Sequence, residues 1–203
     1  MKLSELLGIM FGDGCLSSTI KSKPVVYIAG HKKDDLEYHE KVTKKLFKEI
    51  FNENVTINFR KGEQTLFIRT YNKNIFNELA KYMPIGKKYD SLKIPNQILA
   101  NKKYFFAFVR GLADTDGCMI FSKQHRKMRY YPRIEITSKS FSFLETILTN
   151  LRKYGFYGSL SKKAIEAYRL EFPGFSNLKL WLNLVGFSNA KHKKKIEGQK
   201  LAF

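Results

Sequence analysis

Two aspartates carry the chemistry this sequence offers. Asp13 stands within Leu6–Cys15 (LLGIMFGDGC) and Asp116 within Phe108–Cys118 (FVRGLADTDGC), 103 residues apart in a chain of 203. Each follows a pair of small residues four apart, Gly8 with Gly12 and Gly111 with Thr115. Residues at that spacing share one helix face, so two backbones could approach closely there; ordinary tight packing explains the spacing by itself. The Asp-Gly ending changes its meaning. Gly14 and Gly117 read as left-handed caps, which puts both carboxylates at helix C-termini. The macrodipole is already negative there, and the last carbonyls lack partners. Two such ends side by side would gather carboxylates and free carbonyls on one spot. That is poor for stability and good for hard divalent cations such as Mg²⁺ (or Mn²⁺). Cations of this kind activate water and neutralise charge on a phosphodiester.

The elements around the aspartates repeat as well. The helices that carry them are apolar nearly all round (Leu3, Leu6, Leu7, Ile9, Met10, Phe11; Phe105, Phe106, Phe108, Val109, Leu112). A helix of that kind is buried on every side, and the simplest burial is each against the other, as a parallel pair. An extended stretch follows in each half, Val25–Ala29 and Arg133–Thr137, and then an amphipathic helix with Val42, Leu46 and Ile50, or Leu144, Ile147, Leu148 and Leu151, on its apolar face. A second hairpin comes next, with Val55, Ile57 and Phe59 alternating with Thr56, Asn58 and Arg60. Its weaker counterpart is Leu160 with Tyr168, Leu170 and Phe172. A last helix shows Ile75, Leu79 and Met83, or Leu178, Trp181, Leu182 and Val185. The expected class is α+β, with two pseudo-symmetric αββαββα units: residues 1–95, a linker over 96–103, and residues 104–203.

Net charge is +19, from 37 Lys+Arg against 18 Asp+Glu. Both halves share the excess, so a polyanion is the expected partner, nucleic acid being the commonest; a solvated lysine surface is the plain alternative. Two cysteines, Cys15 and Cys118, make neither a disulfide framework nor a zinc pattern; they read as small hydrophobes. No signal peptide and no membrane span is legible, so an intracellular, soluble protein without membrane contact is expected.

Leu6–Gly14 (LLGIMFGDG) and Val109–Gly117 (VRGLADTDG) resemble the LAGLIDADG motif of homing endonucleases. Two copies at half-chain spacing, inside matching β-rich units, extend the resemblance over the whole chain. It implies two four-stranded antiparallel sheets forming a saddle over the DNA major groove, around a central parallel LAGLIDADG helix pair. It also implies an intron-encoded type of activity, a metal-dependent double-strand break at a long specific site, made by a monomer. Asp13 and Asp116 would be the catalytic metal ligands, assisted by the carbonyls of Gly12 and Thr115. Lys139, with His31 or Lys32, would organise water near the metals. Asp114, which has Phe11 as its counterpart, reads as structural, and Arg110 should point away from the helix pair. The runs Lys87-Lys88 and Lys191–Lys195 read as phosphate contacts or solvated surface. Candidates for base readout face solvent on the strands: Thr56, Asn58, Arg60 and Arg69, and Gln124, Arg126, Arg129 and Arg133, since Arg and Asn can read base edges bidentately. The alternatives are an intron maturase that binds intron RNA and a cleavage-inactive DNA-binding protein on the same scaffold.

Overall fold

The two apolar helices meet each other at the centre of the molecule. A computed structural model describes residues 1–19, 22–88, 91–123, 130–165 and 167–199. The first half runs α1 (Lys2–Phe11), β1 (Gly14–Thr19), β2 (Ser22–His31) and α2 (Leu36–Tyr38). A π-helical turn (His39–Thr43) leads into α3 (Lys44–Phe51), and β3 (Thr56–Phe59), β4 (Thr65–Thr70) and α4 (Lys73–Ala80) follow. The second half runs α6 (Lys102–Thr115), β5 (Gly117–Ser122), β6 (Tyr131–Ser138), α7 (Phe141–Arg152), β7 (Ser159–Ala164), β8 (Ala167–Pro173), α8 (Phe175–Leu184) and α9 (Ala190–Glu197). A short helix, α5 (Asn96–Leu99), lies between them, so residues 96–103 hold α5 and the first residues of α6.

The architecture is α+β with two four-stranded antiparallel sheets, in the matching orders β1-β2-β4-β3 and β5-β6-β8-β7. In each sheet one face is apolar. Val26, Ile28, Leu66 and Ile68 are buried in the first, and Ile134, Ile136, Leu170 and Phe172 in the second. These faces and the helices join one continuous core across both halves. Phe11 seals the seam, edge-on to Phe108 at 5.1 Å and 5.8 Å from Phe143. Leu182 departs from its expected place in the core and is exposed, because the apolar stripe of α8 turns on Leu178 and Trp181. No described helix is long and apolar enough to cross a membrane.

Small residues set the helix pairing. A Cβ added at Gly8 would fall on the Phe108 carbonyl, 2.8 Å from the Leu112 nitrogen; one at Gly111 would fall on the Glu5 carbonyl. One at Gly12 would strike the Thr115 hydroxyl. The matched numbers rise together along both helices, so α1 and α6 are parallel.

Two expectations need correction. Gly14 and Gly117 are not left-handed caps, since neither has a positive φ. They open β1 and β5, where a Cβ would fall on the backbone of Met10 or Ala113. The glycines are required by close approach of strand to helix, and the helix ends are closed by other means. Arg110 does not point away from the helix pair. It reaches across to Glu5 of α1 with two bonds, Nε to Oε1 at 3.0 Å and Nη2 to Oε2 at 2.7 Å. A third goes to the Val185 carbonyl. A charged residue in this apolar seam is thus answered by the opposite charge on the neighbouring helix.

Candidate metal centre and nucleic-acid interface

The parallel pairing brings the C-termini of α1 and α6 together, and with them Asp13 and Asp116. A Cβ at Gly12 would lie 3.4 Å from the Asp116 carboxyl carbon. Each aspartate is pinned through its own carbonyl to the neighbouring strand: Ala29 donates to Asp13 at 3.1 Å and Thr137 to Asp116 at 3.3 Å. The backbone that carries each carboxylate is therefore held by sheet and helix together. Burial pushes Asp13 up to about 6, with Asp35 adding to the rise and Lys191 and Lys88 opposing it. Burial, then the charge of Asp13, pushes Asp116 up to about 7. Negative charge is costly here without a cation.

Lys88 supplies one such charge, in place of the phosphate contact or solvated surface expected of the Lys87-Lys88 pair. Its ammonium donates to the carbonyls of Met10 (3.1 Å), Phe11 (2.9 Å), Gly12 and Gly14 (2.7 Å). It caps the C-terminus of α1, the end the glycines were expected to close. Burial pulls this ammonium below its usual value, and Asp116 and Asp13 pull it back up. Lys88 lies 75 residues after Asp13, and Lys191 lies 75 after Asp116. That shared spacing is the signal that could have found both.

Lys191 sits at the start of α9 and bonds Asp35 at 2.9 Å. Burial raises Asp35, but the bonds from Lys191 and from the His31 amide outweigh it and hold the carboxyl below its usual value. Asn189 ties this arrangement to both halves. Its amide group donates to Asp35 (3.0 Å) and to the Asp114 carbonyl (3.1 Å). The fully buried Asp114 receives the backbone amides of Ser188 and Asn189 at 2.8 and 3.0 Å. It anchors the turn into α9 and thereby places Lys191.

The other candidates scatter. Lys139 lines a cavity of about 320 Å³ together with Asp116, Lys88 and Thr137. Exposed His31 lies 3.0 Å from Asp34. Lys32 sits over the Phe59 ring at 5.3 Å, at the far end of the β3–β4 hairpin's partner strand. Thr56, Asn58 and Arg69 share the outer face of the first sheet, with Arg69 over Phe67 at 4.4 Å. Arg60 follows β3 and pairs with Glu63 at 3.3 Å. Arg133 lies on the outer face of the second sheet. Gln124, Arg126 and Arg129 lie outside the described residues. Cys15 and Cys118 are half-buried and free.

Residues 104–196 match the family model of a LAGLIDADG-like domain. Over 200 residues the chain is 26% identical to part of the replication factor C small subunit of Methanocaldococcus jannaschii, covering 96% of this chain and 10% of that protein. Over 190 residues it is 27% identical to part of a probable translation initiation factor IF-2 of the same organism, covering 89% of this chain and 14% of that protein. The chain thus spans only a small part of the curated relatives it matches. The structure of the homing endonuclease I-DmoI in complex with DNA and Mn is similar, with a TM-score of 0.63 at 17% identity, covering 91% of this chain and 96% of that chain. The N-terminal LAGLIDADG domain of DUF199/WhiA is similar too, with a TM-score of 0.62 at 17% identity, covering 97% of this chain and 85% of that chain. At these identities the likeness establishes the fold.

Proposed function

The chain is a two-motif protein of the LAGLIDADG fold, and on that premise we propose that it cuts double-stranded DNA at a long specific site, using divalent metal at Asp13 and Asp116. The observation that carries this reading is the meeting of two half-buried carboxylates at neighbouring helix C-termini, both raised by burial, Asp116 further by Asp13 and Asp13 further by Asp35. Stability alone gives no reason to build such a spot. The donor set suits Mg²⁺ or Mn²⁺, which keep several waters and take one or two carboxylates plus substrate phosphates. Among the described residues no cluster of three His, Cys, Asp or Glu exists, so carbonyls, water and DNA would have to complete the site. Gly12 and Thr115 would lend those carbonyls. The four carbonyls around the Lys88 ammonium, that of Gly12 among them, already mark this helix end as a place for positive charge.

Metal bound there would activate water and neutralise charge on the phosphodiester. The chain's own residues do the rest. Asp13 and Asp116 hold the reacting centre at the two-fold seam, so that one chain presents a centre to each strand. Lys88 and Lys191 each bring positive charge within reach of both. Lys139 borders the cavity beside Asp116. The solved complexes of I-DmoI with DNA and Mn, and with DNA and Ca, support this reading by their fold. The curated relatives, named for replication and for translation, share with this chain a segment of its own size; that fits a module which moves between genes, and a site-specific cut is the reaction such movement needs.

The test is cleavage of a pool of duplexes with a randomised central region, in Mg²⁺ and in EDTA. Recovery of one family of cut sites in Mg²⁺ only is expected. Specific binding without any cut would make the protein a DNA-binding module. Binding of structured RNA in preference to duplex DNA would favour the maturase.

A further inference from the structure

The outer face of the second sheet differs in kind from that of the first. In the first, Tyr27 and Phe67 stack at 5.7 Å and Arg69 lies over Phe67; no acidic residue stands among the paired outer positions. In the second, Arg133, Glu135, Arg169 and Glu171 form a cross-strand ladder. Glu135 and Glu171 are direct neighbours on β6 and β8. Arg133 bonds Glu171 at 2.9 Å and also reaches the Ser122 hydroxyl at 3.3 Å. Arg169 contacts Glu135 at 3.5 Å and approaches the other oxygen of Glu171 at 3.7 Å. That last distance is too long for a hydrogen bond, and Arg169 Nε is one of the buried donors without a partner.

Two glutamates side by side are a poor choice for a surface that must only attract phosphates. Each is about nine-tenths covered and holds arginine. Carboxylates placed this way fix the planar guanidinium forks and remove the freedom they would otherwise lose on binding. An arginine held in a plane suits the O6 and N7 acceptors of guanine. Because Glu171 holds both arginines, their guanidinium groups lie close together and would address neighbouring base pairs.

We propose that Arg133 and Arg169, oriented by Glu135 and Glu171, select G·C pairs in the half of the DNA site lying under the C-terminal sheet. The aromatic face of the N-terminal sheet gives the other half-site a different preference. This inference rests on the DNA reading of the preceding section and names the base pairs that reading left open.

The full chain is used, with Ca²⁺ in place of Mg²⁺, to select duplexes from a randomised pool. The expected consensus contains adjacent strongly preferred G·C pairs in one half-site. Glu171→Gln and Arg169→Lys should each lower discrimination at those pairs by about tenfold or more, while Arg69→Lys leaves them unchanged. Arg169→Lys keeps the charge and guards against a Glu171 variant that fails to fold; melting curves check both. A consensus without preferred G·C pairs, or one that the variants leave intact, overturns the inference while the cleavage reading stands. No consensus from the parent protein overturns both.

Discussion

Asp116 shows what a covered carboxylate at a helix end does to a folded chain. Its pKa is about 7 in the folded protein against an ordinary 3.8, through burial first and then Asp13. Between those values the folded chain holds a proton that the unfolded chain has released. Its contribution to stability is therefore neutral below about pH 4 and becomes unfavourable as pH rises toward 7. Asp116→Asn should make the metal-free protein more stable than the parent at about pH 8, by about 1–2 kcal/mol once water at a half-buried carboxylate is allowed for. The difference should vanish near pH 4. Urea unfolding in EDTA at both pH values measures it, and a parent as stable as the variant at pH 8 would count against the crowded-charge account. On the proposed function the same variant, and Asp13→Asn, should lose cleavage in Mg²⁺ while keeping affinity for the site in Ca²⁺, because these side chains would hold metal and would not touch bases. Both aspartates were legible at helix ends because the motif recurs with matched spacing. Lys88 was not, because it lies in a connector without periodicity and its partners, four carbonyls, are the backbone of another element. The cap was misassigned for a related reason: an Asp-Gly pair after a helix looks alike whether the glycine bends left-handed or merely makes room.

At the scale of elements the α1–α6 seam decides whether the aspartates meet. Gly111→Ala should cost at least about 2 kcal/mol, since its Cβ would meet the Glu5 backbone and the rigid pair can relieve that only by moving apart. Gly62→Ala makes the control: its φ of +77 costs a side chain about 1–2 kcal/mol in strain, but open space surrounds it, so cleavage should survive there and fall in Gly111→Ala. The Glu5–Arg110 pair tests the seam by charge. Arg110→Met strands Glu5, about nine-tenths covered, and should cost about 3–5 kcal/mol; Glu5→Leu with Arg110→Met should recover most of that. Equilibrium unfolding of the three proteins decides it. The element order was readable because each strand alternates with period two and each helix carries an apolar face. The Glu5–Arg110 pairing was not, because 105 residues separate the partners and only the helix register, set by Gly8 and Gly111, brings them together.

Over the whole molecule, charge has two separate uses. Lys88 and Lys191 are turned inward, onto carbonyls and onto Asp35, and Arg110 is held in the seam. These cations support the fold and the site, and they contribute little to counterion release. The remaining excess of the +19 chain lies outside those contacts, and phosphates of a bound duplex would release condensed ions against it. A protein with about 6–10 phosphate contacts shows a slope of log K against log salt near −0.9 per contact. A slope between about −5 and −9 is therefore expected for specific binding in Ca²⁺. Lys88→Met should leave that slope nearly unchanged while cleavage falls by about tenfold or more, since its ammonium is directed at the helix end and the aspartates. Removing an exposed lysine that touches phosphate should instead flatten the slope by about one contact and weaken binding across all sequences alike. A nearly flat line for the parent would mean that the basic excess only keeps the surface solvated.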